Sequence, residues 1–188
     1  MNIQGKFVTL RALEEEDIES IRQLTNDPWY ESMIVGWALP RSRFQQKKWF
    51  ENYNPKDELR LAIETPEDGT VGMTGLINID WKNATATAGG MRIFKKDMRS
   101  RGVATDAYMA LFRYAFDELR LNRIEGSVLF HNKASIRATE KAGFKQEGVM
   151  RQAIYKNGKF MDVILLGIIK EDYMKAIAEN NYWNNDNK

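Results

Sequence analysis

Residues 99–105 read RSRGVAT, two arginines and a glycine set directly ahead of a helix-like run, DAYMALFRYAF. Lys95, Lys96, Arg99 and Arg101 stand within seven residues. Gly102 lets the backbone approach a bound group closely. A helix starting there offers unpaired N–H donors and a partial positive charge. Together these suit a pyrophosphate. A basic turn at a helix start is more commonly plain solvated charge, so the cluster alone does not decide its use. Four other residues have groups able to move a proton. His131 is the only histidine in the chain, and imidazole suits base chemistry near neutrality. Ser135 has a hydroxyl near a helix start, Asp80 follows the apolar run LINI, and Tyr155 sits two residues ahead of an Asn-Gly turn. Each has an ordinary alternative: exposed strand end for His131, cap for Ser135, turn aspartate for Asp80, structural phenol for Tyr155.

Composition removes other chemistries. The chain of 188 residues has no cysteine, which excludes disulfides, thiolate metal sites and a cysteine nucleophile. A single histidine excludes a multi-histidine metal site, and no metal is expected. Net charge is +2, so no global field favours nucleic acid, and any anion site must be local. No stretch approaches the roughly 18 apolar residues of a membrane span. The first residues, MNIQGKFVTLRAL, lack a signal-peptide pattern, so a cytoplasmic protein is expected.

The elements that must position these groups follow from patterning. Strands are expected at 6–13, 58–65, 70–81, 86–94 and 123–130. A terminal hairpin is expected over 145–169 around Asn157-Gly158, the strongest short hairpin signal. Helices are expected at 14–27, stopped by Asn26, Asp27 and Pro28, and at 102–119. A further helix runs from the Asn132 cap to Gly143, and a last one covers 170–183. Residues 28–57 show no clean period until RFQQKKWFENY, which looks helical. The Gly89-Gly90 pair marks a bulge or a close backbone approach. The polar end, 184–188, reads as frayed. No repeat, linker or boundary appears, so 1–188 reads as one mixed α/β domain with its core at about 6–175.

The spacing Arg99-x-x-Gly102-x-Ala104 before an apolar helix resembles the acetyl-coenzyme A signature of the GNAT superfamily of N-acetyltransferases. NKASIRATEKAGF (132–144) resembles that family's later segment, and YKNGKFMDVILLGIIKEDY resembles the C-terminus of the branch that acetylates the N-terminal amines of ribosomal proteins. The resemblance runs from the first strand to about residue 175. It implies a GNAT fold: a mixed, mostly antiparallel central sheet with splayed middle strands, flanked by helices. It implies acetyl-CoA as donor and an amine as acceptor, a protein N-terminus or a small molecule such as a polyamine, amino sugar or aminoglycoside. A CoA-binding module without catalysis is the alternative of another class.

Residue by residue, the resemblance implies that the backbone of Met91, Arg92 and Ile93 pairs with the pantetheine arm. It implies that amides of Arg101, Gly102, Val103, Ala104 and Thr105 hold the pyrophosphate, with Arg99 adding charge. Asn132 would bind the arm, and Ser135 would lie near the thiol. The family's usual acid and base are missing: residues 86–90 carry no glutamate, Thr139 stands where a tyrosine is common, and Ile154 precedes Tyr155 where the ribosomal branch can place a glutamate. Ser135, His131, Asp80 and Tyr155 are therefore the catalytic candidates. An α-amine, with pKa near 8, is roughly one-tenth neutral at pH 7, whereas a lysine-type amine near 10.4 is neutral at under about one part in a thousand. Lacking an obvious base, the chain is expected to favour an acceptor of the first kind. The hairpin edge also offers a place for a second copy of the chain to form a homodimer.

Overall fold

The computed structural model describes residues 1–54 and 56–183; the expectation for 184–188 lies outside them. Its strands form one sheet. β1 (Ile3–Gln4), β2 (Thr9–Ala12), β3 (Leu59–Thr65), β4 (Gly69–Asp80), β5 (Thr85–Ala88), β7 (Arg123–Leu129), β9 (Lys159–Ile169) and β8 (Lys145–Lys156) lie side by side in that order, and β6 (Arg92–Ile93) pairs with β4. Neighbours are antiparallel except β5 and β7, which run parallel. The helices are α1 (Ile18–Thr25), α2 (Pro28–Met33), α3 (Arg43–Glu51), α4 (Val103–Arg113), α5 (Lys133–Lys141) and α6 (Lys170–Asn180).

Strand alternation sorts buried side chains to two faces. Ile63, Leu76, Val128 and Ile164 join the cluster around α4, whose Ala107, Met109, Leu111 and Phe112 are fully buried. Ala62, Met73, Leu129 and Val163 are buried outside that cluster, as are Ile21, Leu24 and Tyr30 of α1 and α2. The sheet is thus covered on both faces, α4 on one and α1–α2 on the other.

The structure corrects several expected elements. The strand read over 6–13 is a hairpin of β1 and β2, and residues 6–8 form its turn, their amides held by the Asp106 carboxylate at 2.8–3.0 Å. The helix read over 14–27 is a 3-10 turn followed by α1. Asp27-Pro28 does not only stop it: Asp27 accepts the Trp29 amide at 2.9 Å and Pro28 opens α2, a favoured first position because proline has no N–H to satisfy. The strand read over 86–94 is broken into β5 and β6, with Gly90 at φ +73° between them. Asn157 and Gly158 both take positive φ, as a two-residue hairpin turn requires.

Candidate active site

The break between β5 and β6 opens the sheet. β5 stays beside β7 only through Thr87↔Glu125. Beyond that point the chain follows β4: the Gly89 amide donates to Gly75 O at 2.9 Å, β6 pairs with Gly72 and Met73, and the Phe94 amide donates to Val71 O at 2.8 Å. β7 instead stays on β9 as far as Leu129↔Val163. The edges facing each other across the gap, at β6 and at residues 126–129, have no strand partner. A wedge of unpaired backbone donors and acceptors results, able to accept an extended amide-containing ligand as if it were a strand.

The turn before α4 lies on from β6. Ser100 (φ +65°) and Gly102 (φ +88°) curl the chain, and no side chain caps the helix. The helical ladder starts with the Asp106 amide donating to Gly102 O at 2.9 Å. The amides of Val103, Ala104 and Thr105 lie ahead of that ladder and have no acceptor in it. Arg101 is exposed, with one weak contact to Met98 sulfur at 4.0 Å. Arg99 is committed elsewhere: its guanidinium lies 4.0 Å from the Trp29 ring centre and donates to Ile93 O at 3.2 and 3.4 Å. Burial lowers its pKa and the Asp27 charge acts the other way, but a guanidinium so placed stays cationic. Lys95 turns to Asp68, donating to its carbonyl at 2.6 Å.

The candidate proton carriers divide. His131 and Ser135 sit together where β7 meets α5. His131 Nε2 lies 3.0 Å from Ser32 O, an acceptor only, so Nε2 carries the proton. In the neutral ring Nδ1 is then the acceptor nitrogen, and it is buried without a partner among the described residues. Asn132 caps α5, accepting the Ser135 amide at 3.1 Å, and donates to Met33 O at 2.9 Å. The Ser135 hydroxyl makes no hydrogen bond among the described residues, so it is not the cap. Thr139 is spent inside α5, donating to Ser135 O and Ile136 O. Asp80 and Tyr155 stand apart. Asp80 is at the far end of the β4–β5 hairpin from the gap, both its oxygens taken by Asn83; the Asn83 backbone amide holds its pKa below the ordinary value. Tyr155 is exposed on the terminal hairpin, its ring edge-on to Phe160.

The acetyltransferase (GNAT) domain model matches residues 8–145. The chain belongs to the GNAT family. It is 31% identical over 169 residues to the SPbeta prophage-derived uncharacterized N-acetyltransferase YokL of Bacillus subtilis (strain 168), covering 90% of this chain and 93% of that one. It is 34% identical over 177 residues to the "Putative ribosomal N-acetyltransferase YdaF" of the same organism, covering 90% and 94%. Among solved structures, spermidine N-acetyltransferase from Vibrio cholerae in complex with CoA and spermine superposes with a TM-score of 0.78 at 25% identity, covering 89% of this chain and 98% of that one. The splayed sheet is the GNAT fold, and the chain is an acetyl-CoA-dependent N-acetyltransferase.

The face of this GNAT domain that carries α1–α3 has two adjoining clefts. One, of about 400 Å³, is lined by Arg41, Lys48, Trp49, Tyr53 and Glu58, among others. The second, of about 660 Å³, is lined by Thr25, Asp27, Glu31 and Arg41, among others. Two of their acids are paired with cations, and the third caps a helix through one oxygen. Glu58 holds Arg60 at 2.8 and 2.5 Å, Asp27 caps α2, and Glu31 pairs with the buried Lys156 ammonium. Lys156, the α2 carbonyls and the Arg92 side chain also border this region and are not recognisable in the sequence. No local signal marks them, because their partners lie 67–125 residues away. Among the described residues no His/Cys/Asp/Glu group is placed to hold a metal, and no helix is long and apolar enough to cross a membrane.

Proposed function

We propose that this acetyltransferase acts on an α-amine, that of an amino acid or of a peptide N-terminus as in the ribosomal-protein branch, in the cytoplasm and as one domain. The observation that carries the reading of the donor side is the row of unpaired amides at Val103, Ala104 and Thr105, beside an uncapped Gly102. Phosphate oxygens satisfy such donors, and the helix end favours their charge. Arg101 adds mobile charge, while Arg99 acts by fixing the turn against Trp29 rather than by touching phosphate. The free edge of β6 at Met91, Arg92 and Ile93 receives the pantetheine amides, and Asn132 borders the arm from α5.

Bound acetyl-CoA supplies an activated acetyl thioester. A backbone N–H at the β6 edge stabilises negative charge developing on the carbonyl oxygen. His131 Nδ1 takes a proton from the attacking amine as the N–C bond forms. The Ser135 hydroxyl, directly or through water, returns a proton to the sulfur as the C–S bond breaks. Asp80 and Tyr155 are given no part.

A polyamine acceptor is the second reading, favoured by the spermine complex of the Vibrio cholerae relative. It is less supported here, because a polycation needs several free carboxylates, and of the cleft acids Glu58 and Glu31 are paired with Arg60 and Lys156, which leaves Asp27. Apolar side chains exposed on the terminal hairpin, Val149, Met150, Phe160 and Leu165, support a homodimer formed there.

Calorimetry with acetyl-CoA, and CoA release with an amine panel, test the proposal. Wild type binds acetyl-CoA, and Gly102→Val, which forces an L side chain to φ +88°, weakens that binding at least tenfold. Unchanged binding in that variant removes the cradle, and clear preference for spermidine over α-amines replaces the acceptor assignment.

A further inference from the structure

Cation and anion are unevenly matched on the acceptor face. Arg41 and Arg92 form no ion pair among the described residues. Arg92 rises from β6, the wall of the gap. Its Nε is buried without a hydrogen-bond partner. Its guanidinium lies 3.4 Å from Thr25 Oγ1, a hydroxyl already donating to Ile21 O, and 5.3 Å from the Tyr30 ring centre, with the Tyr30 phenol as a further polar neighbour. Arg41 lines both clefts, and among the described residues its Nη1 reaches only Gln46 at 3.4 Å. Its backbone is nevertheless held firmly: Asn26 accepts its N–H at 2.7 Å and donates to its C=O at 2.9 Å. Burial first, and then the charge of Arg92, push the Arg41 pKa down.

Partly burying two guanidiniums without a carboxylate is unfavourable. Solvent does not relieve a buried Nε, and among the described residues no acid comes within ion-pair distance of either guanidinium. An anion would complete the arrangement, because a guanidinium fork matches a carboxylate or phosphate. Arg92 lies in the same strand segment that borders the reacting thioester, so an anion held there keeps its attached amine close to the gap. We propose that Arg41 and Arg92 form a receptor for a carboxylate carried by the acceptor, so that the enzyme selects amines bearing a negative group near the amine and rejects polycations. This rests on the α-amine reading and narrows it. The carboxylate has two sources: the α-carboxylate of a free amino acid, or an acidic side chain at the start of a peptide.

The test compares acceptors that differ only in the anion: glutamate, its α-amide and its diamide, the peptides Ala-Glu-amide and Ala-Gln-amide, and spermidine. The carboxylate-bearing member of one pair is expected to have at least a tenfold lower KM than its neutral partner, and which pair responds identifies the source. Arg41→Gln is expected to abolish that difference while leaving the KM for acetyl-CoA within about twofold. Arg92→Met does the same to the acceptor, and its thermal melt confirms folding. Equal KM values within every pair, a preference for spermidine, or an undiminished difference in Arg41→Gln overturns the proposal. If acetyl-CoA binds but no amine is acetylated, the α-amine reading fails by itself. The receptor is then read by calorimetry with glutamate: binding lost in Arg41→Gln upholds it, and no binding to wild type overturns it.

Discussion

Asp106 stands in the first turn of α4, just past the proposed phosphate cradle, and is fully buried. Its Oδ1 accepts the Lys6 amide at 2.8 Å and the Tyr182 hydroxyl at 2.7 Å; its Oδ2 accepts the Phe7 and Val8 amides at 2.9 and 3.0 Å. One carboxylate thus joins the N-terminal hairpin, the cradle helix and the segment after α6. In Asp106→Asn the remaining oxygen serves best where two amides converge, at Phe7 and Val8. The new NH₂ then faces the Lys6 amide, donor against donor, while the Tyr182 hydroxyl turns to accept. Losing one charge-assisted bond in a buried site costs about 1.5–3 kcal/mol, and the bonds kept lose their ionic component. The expected loss is about 3 kcal/mol. For a chain of this length that lowers the melting temperature by roughly 6–12 °C. A thermal melt reads the total, and amide hydrogen exchange reads its location, with protection lost first at residues 6–8. A melt within about 2 °C of wild type, or unchanged protection at those amides, would refute the claim that this carboxylate organises the hairpin.

Other outcomes follow from the same geometry. Lys156, 4% exposed, donates to the carbonyls of Glu31 and Gly36 at 3.0 and 2.7 Å and pairs with the Glu31 carboxylate. Lys156→Met should cost about 3 kcal/mol, the low end for a broken buried pair because Glu31 keeps 27% exposure, and should raise acceptor KM more than acetyl-CoA KM in steady-state kinetics. Burial pushes the Asp17 pKa up, but hydrogen bonds from Arg11 and the Glu14 amide outweigh it and hold it below the ordinary value. Its stabilising contribution is therefore complete above about pH 4, the unfolded-state range, and is lost as pH falls through the lower folded-state pKa. Asp17→Asn should lower stability at pH 7 and flatten the acid limb of a melting-temperature profile; parallel profiles would count against it. Ser135→Ala should lower kcat about tenfold or more with little change in KM for acetyl-CoA, and an unchanged kcat would free the hydroxyl of any proton role.

Much of the sheet was legible because period-two patterning is local: β3, β4, β7 and the hairpin of β8 and β9 lie within a residue or so of their expected bounds. Asn132 at the cap of α5 was legible for the same reason, since capping depends on residues three or four apart, and the uncapped start of α4 was legible from Gly102 and the apolar run that follows it. What escaped is what depends on distance along the chain. β6 is two residues long and exists only because β4 lies beside it. Arg99 reads as a charge for a phosphate from its neighbours, and its packing against Trp29, seventy residues earlier, has no local signal. α2 was invisible because six residues give less than two turns of periodicity, and Asp27-Pro28 signals an ending as readily as a beginning.

That short helix bears more on function than its length suggests, because each residue from 29 to 33 holds a different part of the gap. The Trp29 ring takes Arg99 of the cradle turn, and the Tyr30 ring takes Arg92 of β6. Glu31 takes Lys156 from the terminal hairpin. The carbonyls of Ser32 and Met33 take His131 and Asn132 at the β7–α5 junction. Isolated, a helix of this length has no stability of its own, so its shape is set by these contacts rather than setting them. On the proposal above, an acceptor carboxylate that draws Arg92 toward it would act on the helix that also packs against Arg99 and His131. If the proposed sites are coupled through α2 as well as through their direct contact at the thioester, linkage requires the effect to be reciprocal: whatever factor the acceptor adds to acetyl-CoA affinity, acetyl-CoA must add to acceptor affinity.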